Sequence, residues 1–244
     1  MKRIQSDIPE AAEEKVTSSY REELSGHGGM MYPETREYRI AGNVVGFRYH
    51  GARGVLIKET PMKNGKKHGR EYSWDDDGFL VSMEPYREGL CHGTAKQFDR
   101  SGQVIGTYRM VHGTGYDLWR CKSFDGPSYF VWDIQSNRNG FLHGFEWWLN
   151  EDQKSVYQER HWDQGKQHGI ERDWKFKGKL RRGYPKYWVH DKAVTKRQYL
   201  AAARKDPTLA PFRLKDNSPK REFPPEIRRL LTIPKRKRQR RAKN

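Results

Sequence analysis

The stretch Asn64-Gly65-Lys66-Lys67-His68-Gly69-Arg70-Glu71-Tyr72-Ser73-Trp74-Asp75-Asp76-Asp77-Gly78 decides the fold. After Gly69, Arg70, Tyr72 and Trp74 fall on alternate residues, the period of a half-buried strand. The Asp-x-x-Gly that follows is turn chemistry, because glycine takes positive φ without a Cβ penalty and closes a tight hairpin. Leu80 then opens a second strand.

The unit recurs. Gly-x-x-His-Gly stands at Gly65–Gly69 with His68, Gly89–Gly93 with His92, Gly140–Gly144 with His143, and Gly165–Gly169 with His168. A degenerate copy lies at His112-Gly113, and an earlier one, Gly42 to Gly46, lacks the histidine. Units of about 24 residues thus run from Gly42 to Trp188. The fifth residue past the second glycine is large and apolar each time: Trp74, Phe98, Leu149 and Trp174. Turns follow at Asp99-Arg100-Ser101-Gly102 and Lys175-Phe176-Lys177-Gly178, whereas Asn150-Glu151-Asp152-Gln153 has glutamine where the others have glycine. One such hairpin holds too little apolar area to stand alone, so neighbours stack. The expected fold is all-β: an elongated antiparallel sheet of stacked hairpin repeats over 42–188, with short helices at the termini.

Composition agrees. Hydrophobic residues make up 34% of the 244 and aromatics 13%, which suits a thin sheet carrying large rings better than a helical bundle. Cys91 and Cys121 give neither a disulfide framework nor a metal pattern. No apolar run is long enough to cross a bilayer and no secretory h-region opens the chain, so a cytoplasmic protein is expected.

Asn-Gly-Lys-Lys-His-Gly-Arg-Glu-Tyr followed by Asp-x-x-Gly resembles the bacterial MORN-repeat variant family, including the YwqK-like antitoxin components of toxin-antitoxin pairs. The resemblance covers roughly 42–188 and implies hairpin repeats that serve as scaffolds, lipid-binding surfaces or partner-neutralising modules. It brings no catalytic residue that matches here. The irregular run 112–139 is where it would place partner specificity.

The flanks are read as separate segments. Residues 1–41 form an N-terminal arm, in which Ile8, Val16, Tyr20 and Leu24 at loosely helical spacing fit either a capping helix or a frayed polar arm. In 189–217, Thr195 is placed to N-cap a helix through Lys196 to Arg204 whose Tyr199 and Leu200 cover the last hairpin, followed by a linker. Residues 218–244 read as a basic, disordered tail in which Pro224-Pro225-Glu226-Ile227 starts a brief helix. The net charge is +17, and from Pro219 onward eleven Lys or Arg face two Glu. Lys235, Arg236, Lys237, Arg238, Arg240 and Arg241 are the candidate anion-binding residues, for nucleic acid or anionic lipid.

No phosphate loop, nucleophile elbow or dinucleotide fingerprint is present, so no enzyme, no cofactor and no small-molecule substrate is expected. Asp75-Asp76-Asp77 lacks the remaining ligand positions of a calcium loop. The five histidines His68, His92, His112, His143 and His168 are expected along one edge, about 9 to 10 Å apart, twice the interstrand spacing and too far for neighbours to share a zinc ion. Their expected role is to hydrogen-bond the glycine turns. The leading function is a binding module for a protein partner, possible anchors being Trp74, Trp119, Trp147, Trp148 and Trp174. The adjacent pair Trp147 and Trp148 must point to opposite faces, so either one ring is buried and the other presented as an interaction hotspot, or both faces are covered and both rings are buried.

Overall fold

The computed structural model describes residues 5–17, 34–51, 53–124 and 126–231. Their strands join in one open antiparallel sheet of eighteen. It begins with β1 (Glu13–Thr17), β2 (Glu34–Ile40), β3 (Asn43–His50), β4 (Leu56–Lys63), β5 (Lys66–Lys67) and β6 (Gly69–Trp74). It continues with β7 (Leu80–Arg87), β8 (Leu90–Cys91), β9 (Gly93–Phe98), β10 (Val104–Val111), β11 (Thr114–Lys122) and β12 (Tyr129–Arg138). It ends with β13 (Phe141–Leu149), β14 (Val156–Asp163), β15 (Lys166–Gln167), β16 (Gly169–Asp173), β17 (Lys186–Val189) and β18 (Lys192–Val194). Strands pair in chain order. Where a unit's histidine bulges out it splits a strand, so β5 and β6 both pair with β4, as β8 and β9 do with β7.

Turns of two kinds close the hairpins, one kind along each edge. Along one edge run two-residue turns with positive φ at both positions, among them Asn64-Gly65, Glu88-Gly89, His112-Gly113, Asn139-Gly140 and Gln164-Gly165. His112 is therefore the first residue of such a turn, and the degenerate unit begins at Gly113 rather than offering a repeat histidine. Along the other edge the aspartates hold the turn: Asp75 Oδ1 accepts from the backbone of Asp77 and Phe79, and Asp99 Oδ1 from that of Ser101 and Gln103. In the unit without glycine, Gln153 itself adopts φ 54°.

The boundaries differ from the sequence reading. The sheet starts before residue 42, because Glu13 to Thr17 form a strand on the outer side of β2 instead of a helix, leaving Val16 exposed. Tyr20 and Leu24 lie outside the described residues. The sheet also runs past 188 into β18 before helix α1 (Lys196–Ala203), whose N-cap Thr195 forms a reciprocal box with Gln198. Tyr199 is fully buried, its ring 5.2 Å from that of Tyr187, whereas Leu200 points largely to solvent.

The largest correction concerns the tail. Residues 218–231 are not a disordered extension: they lie against the sheet and end in helix α2 (Pro225–Leu231), with Phe223, Ile227 and Leu231 buried in the main core beside Trp147, Leu149, Val156 and Trp174. An amphipathic segment with apolar residues at 223, 227 and 231 has somewhere to bury them, and that overrides its basic composition.

Candidate partner-binding face

The Gly-x-x-His-Gly motif is a clamp between successive units. From Gly89 onward the glycine of these two-residue turns donates its N–H to a carbonyl in the preceding unit: Gly89 to Lys67 at 2.9 Å, Gly113 to Cys91 at 2.8 Å, Gly140 to Gly113 at 2.9 Å and Gly165 to Leu142 at 2.8 Å. The motif histidine completes the grip where its Nδ1 accepts the N–H of the residue before the turn's second position, His112 to His92 at 3.1 Å and His190 to His168 at 3.2 Å. His68 and His143 instead face the carboxylates of Glu88 and Asp163 at 3.3 and 3.1 Å. The edge is tighter than interstrand spacing alone implies: the rings of His92 and His112 are 4.3 Å apart and those of His168 and His190 4.1 Å.

That proximity brings Asp163, His168 and His190 into a group whose ligand atoms lie within 4.8 Å. His168 is already committed at both nitrogens. Its Nδ1 accepts from the backbone, which assigns the proton to Nε2, and Nε2 lies 3.0 Å from Thr208 Oγ1 and 3.3 Å from Asp206. No lone pair of His168 remains for a metal. Burial, then the nearby His190, lowers its pKa and keeps the ring neutral.

One face of the sheet is crossed by the chain's own flanks. In the C-terminal half, Glu159 lies between Trp147 on β13 and Arg172 on β16. Its carboxylate accepts from Trp147 Nε1 at 2.8 Å, Arg172 Nη1 at 2.8 Å and Arg221 Nε at 2.7 Å. Burial pushes the Glu159 carboxyl up, but the bond from Arg221 and the charges of Arg221 and Arg172 outweigh it and hold it below the usual range. Trp174 donates its indole N–H to the Asn217 carbonyl at 2.8 Å, Arg221 lies 5.0 Å over the Trp174 ring, and Phe223 meets Trp147 edge-on at 5.4 Å. The backbone joins in, Val156 donating to Pro219 and Arg221 to Lys154, both at 3.0 Å. Leaving the 3-10 turn that ends at Asn217, residues 218–223 are thus a non-helical peptide held in a built site.

The N-terminal half repeats this site one hundred residues earlier: Leu56, Glu59, Gly69 and Trp74 stand where Val156, Glu159, Gly169 and Trp174 stand. Glu59 is buried between Arg48 and Tyr72, accepting from Arg48 Nε at 2.8 Å and from Ser6 Oγ at 2.7 Å. Ile8 covers Gly46, where a Cβ would lie 2.4 Å from it, and Asp7 grips the Arg70 guanidinium and backbone N–H. Among the described residues a cleft of about 890 Å³ stays open here, walled on one side by residues of this segment such as Ser6, Asp7 and Glu10 and on the other by Trp74, Leu56, Tyr38, Arg48 and Glu59.

The opposite face carries a cross-strand row that includes Glu71, Glu84, Tyr108, Asp117, Gln135, Glu146 and Arg160. Trp162 donates to Glu146 at 2.8 Å and Trp188 to Glu171 at 2.9 Å; Tyr108 donates to Glu84. Around a cavity of about 170 Å³ lined by Glu84, Cys91, Tyr108 and Asp117, burial and the Glu84 charge push Asp117 up to about 8. Burial also pushes Cys91 up to about 12, which removes thiolate character at neutral pH.

Trp148 lies on this second face and is as buried as Trp147, at 8% and 7% exposure, with Arg160 5.1 Å over its ring. The pair alternates as expected, and of the two outcomes the sequence leaves open it is burial on both faces that is seen, so neither ring is the presented hotspot. Trp174 is buried under residues 217–221, Trp119 is partly buried opposite Asp133, and Trp74 reaches the open cleft. Lys235, Arg236, Lys237, Arg238, Arg240 and Arg241 lie outside the described residues. Sequence reasoning missed Glu59, Glu159, Arg221 and Phe223; the hundred-residue repeat was the signal that pairs the first two.

No family model matches the chain, and no curated protein matches it. Among solved structures it is similar to the Glycosylation Associate Protein (Gap123) complex from Streptococcus agalactiae, at 19% identity over 46% of this chain and 19% of that chain, with a TM-score of 0.32. The chain spans about one fifth of that relative's length, and a likeness at this level carries no argument about function.

Proposed function

We propose that this chain is a non-enzymatic binding module that recognises a protein partner, with neutralisation of a toxin as the form suggested by the YwqK-like resemblance. The observation behind the reading is the seat of residues 217–223: the sheet holds a peptide that leaves a 3-10 turn at Asn217 through backbone bonds, an indole N–H and a buried carboxylate. Strand-addition modules likewise combine main-chain bonds with side-chain pockets; here two main-chain bonds, forming one isolated bridge at Ser155 and Lys220, hold the segment. Cys91 and Cys121 both have raised pKa values, so thiol chemistry finds no activated group at either.

The test is capture from the native host with the full chain as bait. A stoichiometric protein partner that stays bound at high salt is expected. Recovery of nucleic acid or anionic lipid alone, released as salt rises, would replace this reading with one centred on the basic tail.

A further inference from the structure

From the two equivalent half-sites we infer that the cleft over Trp74 and Glu59 receives an extended, basic peptide segment of a protein partner. The inference rests on the protein-binding reading and names its site and the chemistry of its occupant.

The argument is internal to the molecule. Trp174 and Val156 are 2% and 0% exposed because residues 217–223 lie over them. Their counterparts Trp74 and Leu56 are, among the described residues, only partly buried and line open space. Among the described residues, Trp74 makes no hydrogen bond corresponding to that from the Trp174 indole to Asn217. The two sites share the central buried glutamate, at 3% and 2% exposure, with one arginine and one aromatic on its flanks in mirrored order.

The filled site shows what such a surface accepts: a carbonyl on the indole N–H, a guanidinium over the indole ring and an aromatic ring two residues on, from Asn217, Arg221 and Phe223. In the open site Asp7 is paired with Arg70 and Glu59 with Arg48, so among the described residues Glu10 on the rim is the lining carboxylate that stands without an arginine. An indole face beside a rim carboxylate attracts a cation, and a partly buried Trp in a concave site is a common anchor of an interface.

The probe is a synthetic peptide of residues 216–224 carrying a photoreactive benzoylphenylalanine in place of Phe223, added to the intact full chain. The expected result is saturable binding with crosslinks on β4 and β6. The Trp74→Ala protein should bind about tenfold more weakly or worse, as for loss of an interface anchor. Should that variant fold poorly, a peptide with Lys220→Glu and Arg221→Glu leaves the protein untouched and should not crosslink there. Crosslinks confined to β14 and β16 would mean the peptide merely displaces the chain's own segment, and would overturn the inference, as would no binding. A concentration-dependent dimer abolished by Trp74→Ala would name a second copy as occupant and overturn it too. Partner capture undiminished by Trp74→Ala rejects the cleft while leaving the protein-binding reading intact, so the two fail separately.

Discussion

Asp117 shows how much one carboxyl can depend on its neighbours. It lines the small cavity on the carboxylate face, with burial first and Glu84 second pushing it up to about 8, while Asp133 adds to the rise and Trp119 opposes it. Glu84 is raised as well, by burial and then Glu71, with Lys67 and Lys58 pulling the other way. The sign follows directly. In the unfolded chain Asp117 titrates near the ordinary value of about 3.9, so folding favours its protonated form. The stability that form contributes is complete below that value and is lost as pH climbs through about 8. Urea midpoints measured from pH 4 to 9 should therefore fall progressively from about pH 4 and level off above about pH 8. Asp117→Asn, which stays neutral throughout, should flatten the decline; parallel curves for the two proteins would reject this account.

At the scale of the hairpin unit, the second glycine of each motif lets two strands approach where the histidine bulges out. Gly169 has φ +150° and a Cβ there would lie 2.5 Å from His161 Cβ, so both conformation and space oppose a side chain. Gly42 has φ +79° in a two-residue turn with nothing within 4 Å, and only conformation matters. Gly169→Ala should cost about 3 kcal/mol or more, whereas Gly42→Asn, a residue tolerant of positive φ, should cost within about 1 kcal/mol, both read from denaturant unfolding. Equal losses would show that the close approach at His161 relaxes freely. This unit was legible in sequence because its determinants are local: the turn glycines, the Asp of the Asp-x-x-Gly turn and the Thr195 cap each act within a few residues. The fate of Trp148 was not. Period two correctly set it opposite Trp147, but its burial depends on Arg160 and the carboxylate row, assembled from strands whose registers carry bulges that no alternation pattern displays. Residues 217–223 were equally hidden, since the Arg221 bond to Glu159 spans 62 residues and composition alone reads that segment as solvated.

For the molecule as a whole, an open meander distributes stability unit by unit, each strand resting chiefly on its neighbours. Two segments break that pattern by crossing strands on one face, residues 5–8 over β3 to β6 and residues 217–231 over the C-terminal half. Arg221 is the hinge of the second. Its guanidinium is 12% exposed and bonds a carboxylate that is itself 3% exposed, so removing it leaves a buried charge with Arg172 as its remaining cation. Arg221→Ala should cost about 3 to 5 kcal/mol, the scale for breaking a buried pair. Arg100 makes two ion pairs, with Asp75 and Asp77, but at 67% exposure, so Arg100→Ala should cost at most about 1 kcal/mol. Counting ion pairs ranks the two residues the other way, and burial decides. Because coupling along the sheet is between neighbours, the damage from Arg221→Ala should also be local. Amide hydrogen exchange should accelerate over β13, β14 and β16 while β2, β3 and β4 keep their protection, and uniform acceleration across all six would show instead that the sheet unfolds as one cooperative body.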